Sequence, residues 1–157
     1  MSVGDMGMPN LASLPQTRRM GRQWSLLVVS TGDVTAKMRR VRLTGEDLDE
    51  LEYRPGQEIV LAIPQAGDEA ARRHYTIRHF DRAAKWIDVD FVLHGHGMAG
   101  RWAQSARPGD CIKAMGPRGR VTVNPAADWH LFSGDEAAFP AIFAMIESLP
   151  ATARAFV

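Results

Sequence analysis

The segment Arg73-His74-Tyr75-Thr76-Ile77-Arg78 sets two guanidinium groups, an aromatic ring and a hydroxyl side by side. In an extended chain side chains alternate, so Arg73, Tyr75 and Ile77 share one face and His74, Thr76 and Arg78 take the other. A guanidinium grips phosphate through parallel hydrogen bonds, and a phenol ring offers a flat apolar surface. The pair suits a ligand with both phosphate and planar aromatic parts, which is the description of a nucleotide cofactor. A second group, His94-Gly95-His96-Gly97-Met98-Ala99-Gly100, joins a strand to a short helix. Glycines let the backbone approach a ligand closely, and N–H groups at a helix start can take a pyrophosphate. Gly95, Gly97 and Gly100 match the G-x-G-x-x-G letters, but the surrounding chain is β-rich, which sets it apart from the classical dinucleotide fold. A plain loop is the competing reading.

Other reactive side chains carry less. His74, His94, His96 and His130 have neither H-E-x-x-H nor Cys/His spacing, so no metal is assigned. Cys111 sits on an apolar stretch and reads as a small core residue. No serine lies in a nucleophile elbow. Asp135-Glu136 reads as capping at a helix start, and its charge disfavours phosphate there. Trp24, Trp86, Trp102 and Trp129 read as core or rim packing.

The elements that must hold these groups are mostly short strands. Trp24 to Val29, Thr35 to Leu43, Glu58 to Ile63, the arginine–tyrosine segment and Trp86 to His94 have strand patterns, with turns at Arg54-Pro55-Gly56-Gln57 and Asp81-Arg82. Met98 to Ala106 reads as a helix. Asp110 to Met115 and Arg120 to Val123 read as two closing strands around Gly116-Pro117-Arg118-Gly119. Such a series implies a barrel or sandwich. From residue 128 the pattern changes to strand (Trp129 to Phe132), helix (Pro140 to Leu149) and strand (Ala153 to Val157), the opening of an α/β unit. One such unit cannot bury both faces of a parallel sheet. Either a second subunit covers it or a longer chain does.

At 157 residues the chain is long enough for a domain with a real core. Nineteen basic against eighteen acidic residues give a net charge of +1, which does not favour nucleic acid or a membrane surface. Lys37, Arg39, Arg40 and Arg42 form the one basic cluster that could argue otherwise, and a solvated strand face is the simpler reading. With one cysteine no intrachain disulfide forms, which suits a reducing, cytoplasmic setting. No signal peptide is evident and no apolar run reaches the ~18 residues of a membrane span.

In order along the chain come Arg73-x-Tyr75-Thr76-x-Arg78, Asp90-Phe91-Val92-Leu93-His94-Gly95, Gly100-Arg101-Trp102-Ala103, Pro108-Gly109-Asp110, Gly116-Pro117-x-Gly119 and Ser133-Gly134-Asp135-Glu136-x-Ala138-x-Pro140. This series resembles the siderophore-interacting protein family of flavin reductases, in the ferredoxin–NADP reductase superfamily, over roughly residues 20–157. Residues 1–19, rich in Met, Gly and Pro through residue 16, read as a flexible arm. The resemblance implies a mainly β fold: a six-stranded antiparallel FAD-binding barrel over residues 20–126 and the start of a truncated NAD(P)H-binding α/β domain at 127–157. It implies Arg73 on the FAD pyrophosphate, Tyr75 on the isoalloxazine and Thr76 near its N5, with Tyr75 and Thr76 as the catalytic pair. Ile77, Arg78, His94, Gly95, Met98, Ala99, Gly100 and Trp102 would complete the FAD site, and Gly134 and Asp135 would face the nicotinamide nucleotide. The implied activity is transfer of electrons from NADPH or NADH through FAD to a ferric siderophore, releasing ferrous iron. Two positions depart from the family: Gly100 replaces a small hydroxyl residue, and Ala137 stands where threonine is common. If the chain is complete at Val157, the expectation becomes a flavin-binding or interaction module with little NAD(P)H-driven activity.

Overall fold

The computed structural model describes residues 21–65, 67, 69–95 and 97–157. The arm expected at 1–19 and the metal candidate His96 lie outside the described residues. Seven strands form one antiparallel sheet: β1 (Gln23–Thr35), β2 (Met38–Thr44), β3 (Glu58–Ile63), β4 (Ala71–Thr76), β5 (His79–Asp81), β6 (Trp86–Val92) and β7 (Cys111–Arg118). Their order across the sheet is β4-β3-β7-β1-β2-β6-β5. Helix α1 (Met98–Ser105) follows β6. A two-stranded parallel sheet, β8 (His130–Leu131) with β9 (Ala155–Phe156), holds helix α2 (Phe139–Glu147) between its strands in sequence.

Alternation builds the main sheet. Trp24, Leu26 and Val28 of β1 and Ile87, Val89 and Phe91 of β6 point into one core, joined by Leu43, Ile59, Leu61, Ile63 and Ala103. The opposite face of β2 and β6 is a charge ladder. Arg42 lies directly across from Asp88 and Arg40 across from Asp90, each in a bidentate pair with N···O distances of 2.7–2.9 Å. Opposite charges facing each other across a sheet stabilise the register. Arg39 is engaged as well, by Asp33, Thr31 and the Ala103 carbonyl. Arg39, Arg40 and Arg42 are therefore spent on internal partners, the buried Asp88 and Asp90 among them, rather than simply solvated.

The barrel expectation is overturned. The main sheet has seven strands rather than six, and it is not closed: β4 and β5 are its two edges. These edges are consecutive in the chain, linked by Ile77-Arg78. The Ile77 N–H donates to the Gln57 carbonyl (3.0 Å) and the Arg78 N–H to the Asp88 carbonyl (2.8 Å). The edges thus meet through a dipeptide and two backbone bonds, and β5 pairs with β6 alone, not with β4. His79-Phe80-Asp81 has no apolar alternation, so β5 left no trace in the sequence pattern. The pair of closing strands is also revised. Gly116-Pro117 lies within a single strand, β7, where Glu58 pairs with Arg118 but Val60 pairs with Met115. The glycine–proline signal marks a bulge instead of a hairpin, and residues 120–123 are not in a strand. Cys111 is exposed, against the core reading, because Ile112 and Ala114 are the inward residues of β7. Trp129 is likewise exposed, whereas Trp24 is core and donates its indole N–H to the Gly116 carbonyl at 3.0 Å.

Phe132, Ile142 and Met145 form a second, smaller core under α2. Leu131 and Phe156 stay exposed. Among the described residues no helix is long and apolar enough to cross a membrane.

Candidate functional site

Tyr75 is half-buried, and its ring lies 4.3 Å from that of Phe91 at 40°. Phe91 is fully buried and its ring is 5.6 Å from that of Trp102 on α1. The three rings form a column from the β4 edge to the helix. Burial raises the Tyr75 phenol pKa above its usual value, with the Arg73 charge opposing it, so the phenol is neutral over the physiological range. The outer flank of Tyr75 opens into a cavity of about 540 Å³, lined by Thr76, Glu58, His74, Asp90, Val92, His94, the turn Asp135-Glu136-Ala137 and Pro140. A second cavity of about 560 Å³ lies against Trp102, with Met98, Arg101, Ser105, Pro64 and Gln65.

The sheet register relates the two. Tyr75 pairs with Ile59, Arg73 with Leu61 and Ala71 with Ile63, and Pro64-Gln65 follow directly. Along β3 and β4 the order is therefore first cavity, Arg73, second cavity. Tyr75 to Ala71 spans about 13 Å at ~3.3 Å per residue. Arg73 is exposed, and its guanidinium donates to the neighbouring Arg72 carbonyl at 2.9 Å. Among the described residues it has no carboxylate within ion-pair distance.

Charge polarises this path. Glu58, Asp135 and Glu136 line the Tyr75 end, where a phosphate would be repelled, while Arg73 and Arg101 lie toward the other. His74 Nδ1 is 2.5 Å from Glu58 Oε1, so the imidazole leans on the carboxylate. An elongated ligand with a flat ring on Tyr75 and phosphates near Arg73 matches this layout. FAD has that shape, and the residues present fit it.

The sequence-predicted residues divide into groups. Tyr75, Thr76, His94 and Asp135 line one cavity; Met98 and Trp102 line the other; Arg73 stands between them. Gly95 is exposed in the link between β6 and α1, and Gly100 is half-buried in the first turn of α1. Ala99 and Ile77 are buried, and the Ile77 N–H and carbonyl are taken by Gln57 and Tyr53, so Ile77 has no polar group left for a ligand. Arg78 is turned away, in a bidentate pair with Glu147 of α2. Gly134 makes the turn into α2 close: a Cβ there would sit 2.5 Å from that of Ala138. Asp135 does not cap α2 itself. It accepts the Ala137 N–H at 3.0 Å in the preceding turn, and the helix N-cap is Ala138. Sequence reasoning passed over Glu58, Phe91 as the backing ring, and Glu147. Asp90-Phe91 stood in a quoted motif, but nothing in the spacing tied Glu147 to Arg78.

The antiparallel sheet, its capping helix α1 and the following β8–α2–β9 unit have the fold of a class of solved reductases that includes phthalate dioxygenase reductase and the ferredoxin-NADP+ reductase of Plasmodium falciparum. Within that class the chain belongs to the siderophore-interacting protein family. Residues 58–121 match the siderophore-interacting FAD-binding domain, and residues 127–157 match the siderophore-interacting protein model. An uncharacterized protein of Mycobacterium tuberculosis is 56% identical over 88 residues, covering 54% of this chain and 31% of that protein. The ferric vibriobactin reductase ViuB of Vibrio cholerae is 35% identical over 144 residues, covering 79% of this chain and 53% of its own length. The crystal structure of a siderophore utilization protein from T. fusca superposes with a TM-score of 0.76 at 34% identity, covering 85% of this chain and 59% of that one. The chain thus spans between about a third and three fifths of the length of these relatives. The match over residues 58–121 supports FAD binding.

Proposed function

We propose that the chain binds FAD across the Tyr75–Arg73–Trp102 path and serves NAD(P)H-driven reduction of a ferric siderophore or similar ferric chelate. The observation that carries this reading is the placement of an unneutralised arginine between two cavities joined by an aromatic column. FAD, when bound, supplies the chemistry that links a two-electron nicotinamide donor to one-electron iron. The chain's own residues orient it. Tyr75, backed by Phe91, gives the isoalloxazine a flat apolar seat. Thr76 offers a hydroxyl at the cavity wall, able to donate or accept one hydrogen bond. Arg73 takes the pyrophosphate as a bidentate partner, with backbone N–H groups near Gly95 to Gly100 beside it. The carboxylates Asp135 and Glu136 keep phosphate out of the ring end, which fixes the direction of the cofactor. Gly134 and Asp135 in the turn before α2 face the nicotinamide donor. Iron leaves the chelate once reduced, because Fe²⁺ holds hard oxygen ligands less strongly than Fe³⁺. The setting in this proposal is the cytoplasm.

The alternative reading is a flavin-binding or interaction module with little or no NAD(P)H-driven turnover. Anaerobic mixing of the FAD-loaded chain with NADPH or NADH, followed at the flavin absorbance band, separates them. Bleaching, followed by ferrous iron captured in a chromogenic chelator after a ferric siderophore is added, is expected. A yellow protein that the donor cannot bleach leaves the module reading, and a colourless protein that takes up no FAD overturns both.

A further inference from the structure

Arg78 follows Thr76 by two residues, on the strand edge that carries the proposed flavin site, yet its guanidinium does not turn to either cavity. It is 8% exposed, and its two terminal nitrogens each lie 2.6 Å from an oxygen of Glu147. The backbone beneath it is pinned from three sides. Ile77 N–H donates to Gln57, Arg78 N–H donates to Asp88, and the Tyr53 hydroxyl donates to the Ile77 carbonyl at 2.8 Å. His79 adds a strap: its Nε2 is 3.2 Å from Glu147 and its Nδ1 3.5 Å from the buried Asp88. Phe143, one helical turn before Glu147, places its ring 5.6 Å from the Arg78 guanidinium carbon.

Glu147 is the last residue of α2. At the other end of that helix, Pro140 and the turn Asp135–Ala137 form the wall of the cavity that faces Tyr75 and Thr76. The helix is a lever about 12 Å long at ~1.5 Å per residue. Its far end is anchored to the dipeptide that directly follows Thr76. A tilt of about 10° around Glu147 would shift the cavity wall by about 2 Å over that length. Misplacement of reacting groups by ~1 Å can cost on the order of a hundredfold in rate.

We infer that Arg78 and Glu147 are a positioning pair: they set the gap across the cavity between the Tyr75–Thr76 strand and the Asp135–Ala137 turn, and so the approach of the nicotinamide donor to the flavin. This rests on the reading given under Proposed function. It gives Arg78 a different task from the cofactor contact expected from the sequence. The pair needs the planar fork of arginine, because both carboxylate oxygens are engaged at once. Lysine would keep the charge but let the helix pivot about a single contact.

The test compares Glu147→Gln, Arg78→Lys and the exchanged pair Arg78→Glu with Glu147→Arg. Nitroxides attached at Arg72→Cys and Ala137→Cys, in a Cys111→Ser background, report the distance between sheet and turn by pulsed electron paramagnetic resonance. The parent chain should give one narrow distance. Glu147→Gln and Arg78→Lys should broaden or shift it by about 2 Å, as the lever geometry requires, and the exchanged pair should recover at least part of the narrow distribution. In the unlabelled proteins the FAD dissociation constant should stay within about threefold, the KM for the donor should change little, and the rate of flavin reduction should fall at least tenfold. An unchanged distance distribution in Glu147→Gln overturns the positioning role. Loss of FAD affinity beyond tenfold with the distance unchanged would return Arg78 to the cofactor. If the parent chain takes up no flavin, the functional reading fails while the distance measurement still decides the clamp.

Discussion

Replacing Phe91 by leucine separates packing from cofactor support. Phe91 is fully buried between Tyr75 and Trp102, with centroid distances of 4.3 and 5.6 Å. Leucine keeps the apolar character and most of the volume, so the substitution itself costs under about 1.5 kcal/mol. The loss of two ring contacts adds about 0.5–1.5 kcal/mol each. The expected destabilisation is therefore about 1–4.5 kcal/mol, read as a lower midpoint in urea at unchanged slope. The functional effect comes through Tyr75. Without a ring behind it the phenol gains rotamer freedom that must be lost again on binding, at about 0.5–1.5 kcal/mol. That corresponds to a two- to tenfold weaker FAD complex. Urea titration followed by tryptophan fluorescence and FAD titration followed by flavin quenching measure the two quantities on the same protein. A variant that loses several kcal/mol of stability yet binds FAD as tightly as the parent would show that the column is only packing, and the argument for Tyr75 as a seat would fail.

Other outcomes follow from single features. Arg73→Ala should abolish or strongly weaken FAD binding while changing stability by no more than about 0.5 kcal/mol, since the side chain is exposed; equal flavin content in the two proteins on gel filtration would remove it from the site. Asp88→Ala should destabilise by about 3 kcal/mol, because this fully buried carboxylate holds Arg42 and adjoins Arg40 and His79; a midpoint within ~0.5 kcal/mol of the parent would mean the charge ladder contributes nothing net. Hydrogen bonding from Arg78 holds the Glu147 carboxyl below its ordinary pKa. A depressed carboxylate pKa adds stability that is fully present above the ordinary value and is lost as pH falls through the folded one. Hydrogen exchange in α2 should therefore accelerate relative to that in β6 as the pH drops below about 4.5, and in Glu147→Gln that extra acid sensitivity should vanish. Gly56→Ala should cost at least 1–3 kcal/mol by urea denaturation, since Gly56 has φ +95° and a Cβ there would meet the Val121 carbonyl at 2.5 Å.

Alternation and punctuation made much of this protein readable before its coordinates. The residues of β3 emerged as a strand with its bounds intact, because Ile59, Leu61 and Ile63 alternate with less buried neighbours and Pro64 stops the run. Helix α1 and the change to a strand–helix–strand pattern after residue 128 were legible for the same reason. So was the pairing of an arginine with a ring at 73 and 75, because the spacing of two that puts both on one face is a local property of extended backbone. Sheet order, edge pairing and the partners of Arg78 are non-local. Whether Gly116-Pro117 turns the chain or bulges it depends on the register of β3 against β7, which no local pattern encodes. Whether the strands close depends on β5, three residues without alternation. Arg78 lay on a face that could have met a ligand, and it took a carboxylate 69 positions away instead, because folding brought α2 against the β4–β5 link and a buried guanidinium must find an anion. The residue types thus specified the chemistry available at the site, while long-range packing assigned each charge its partner and left Arg73 as the cation between the two cavities.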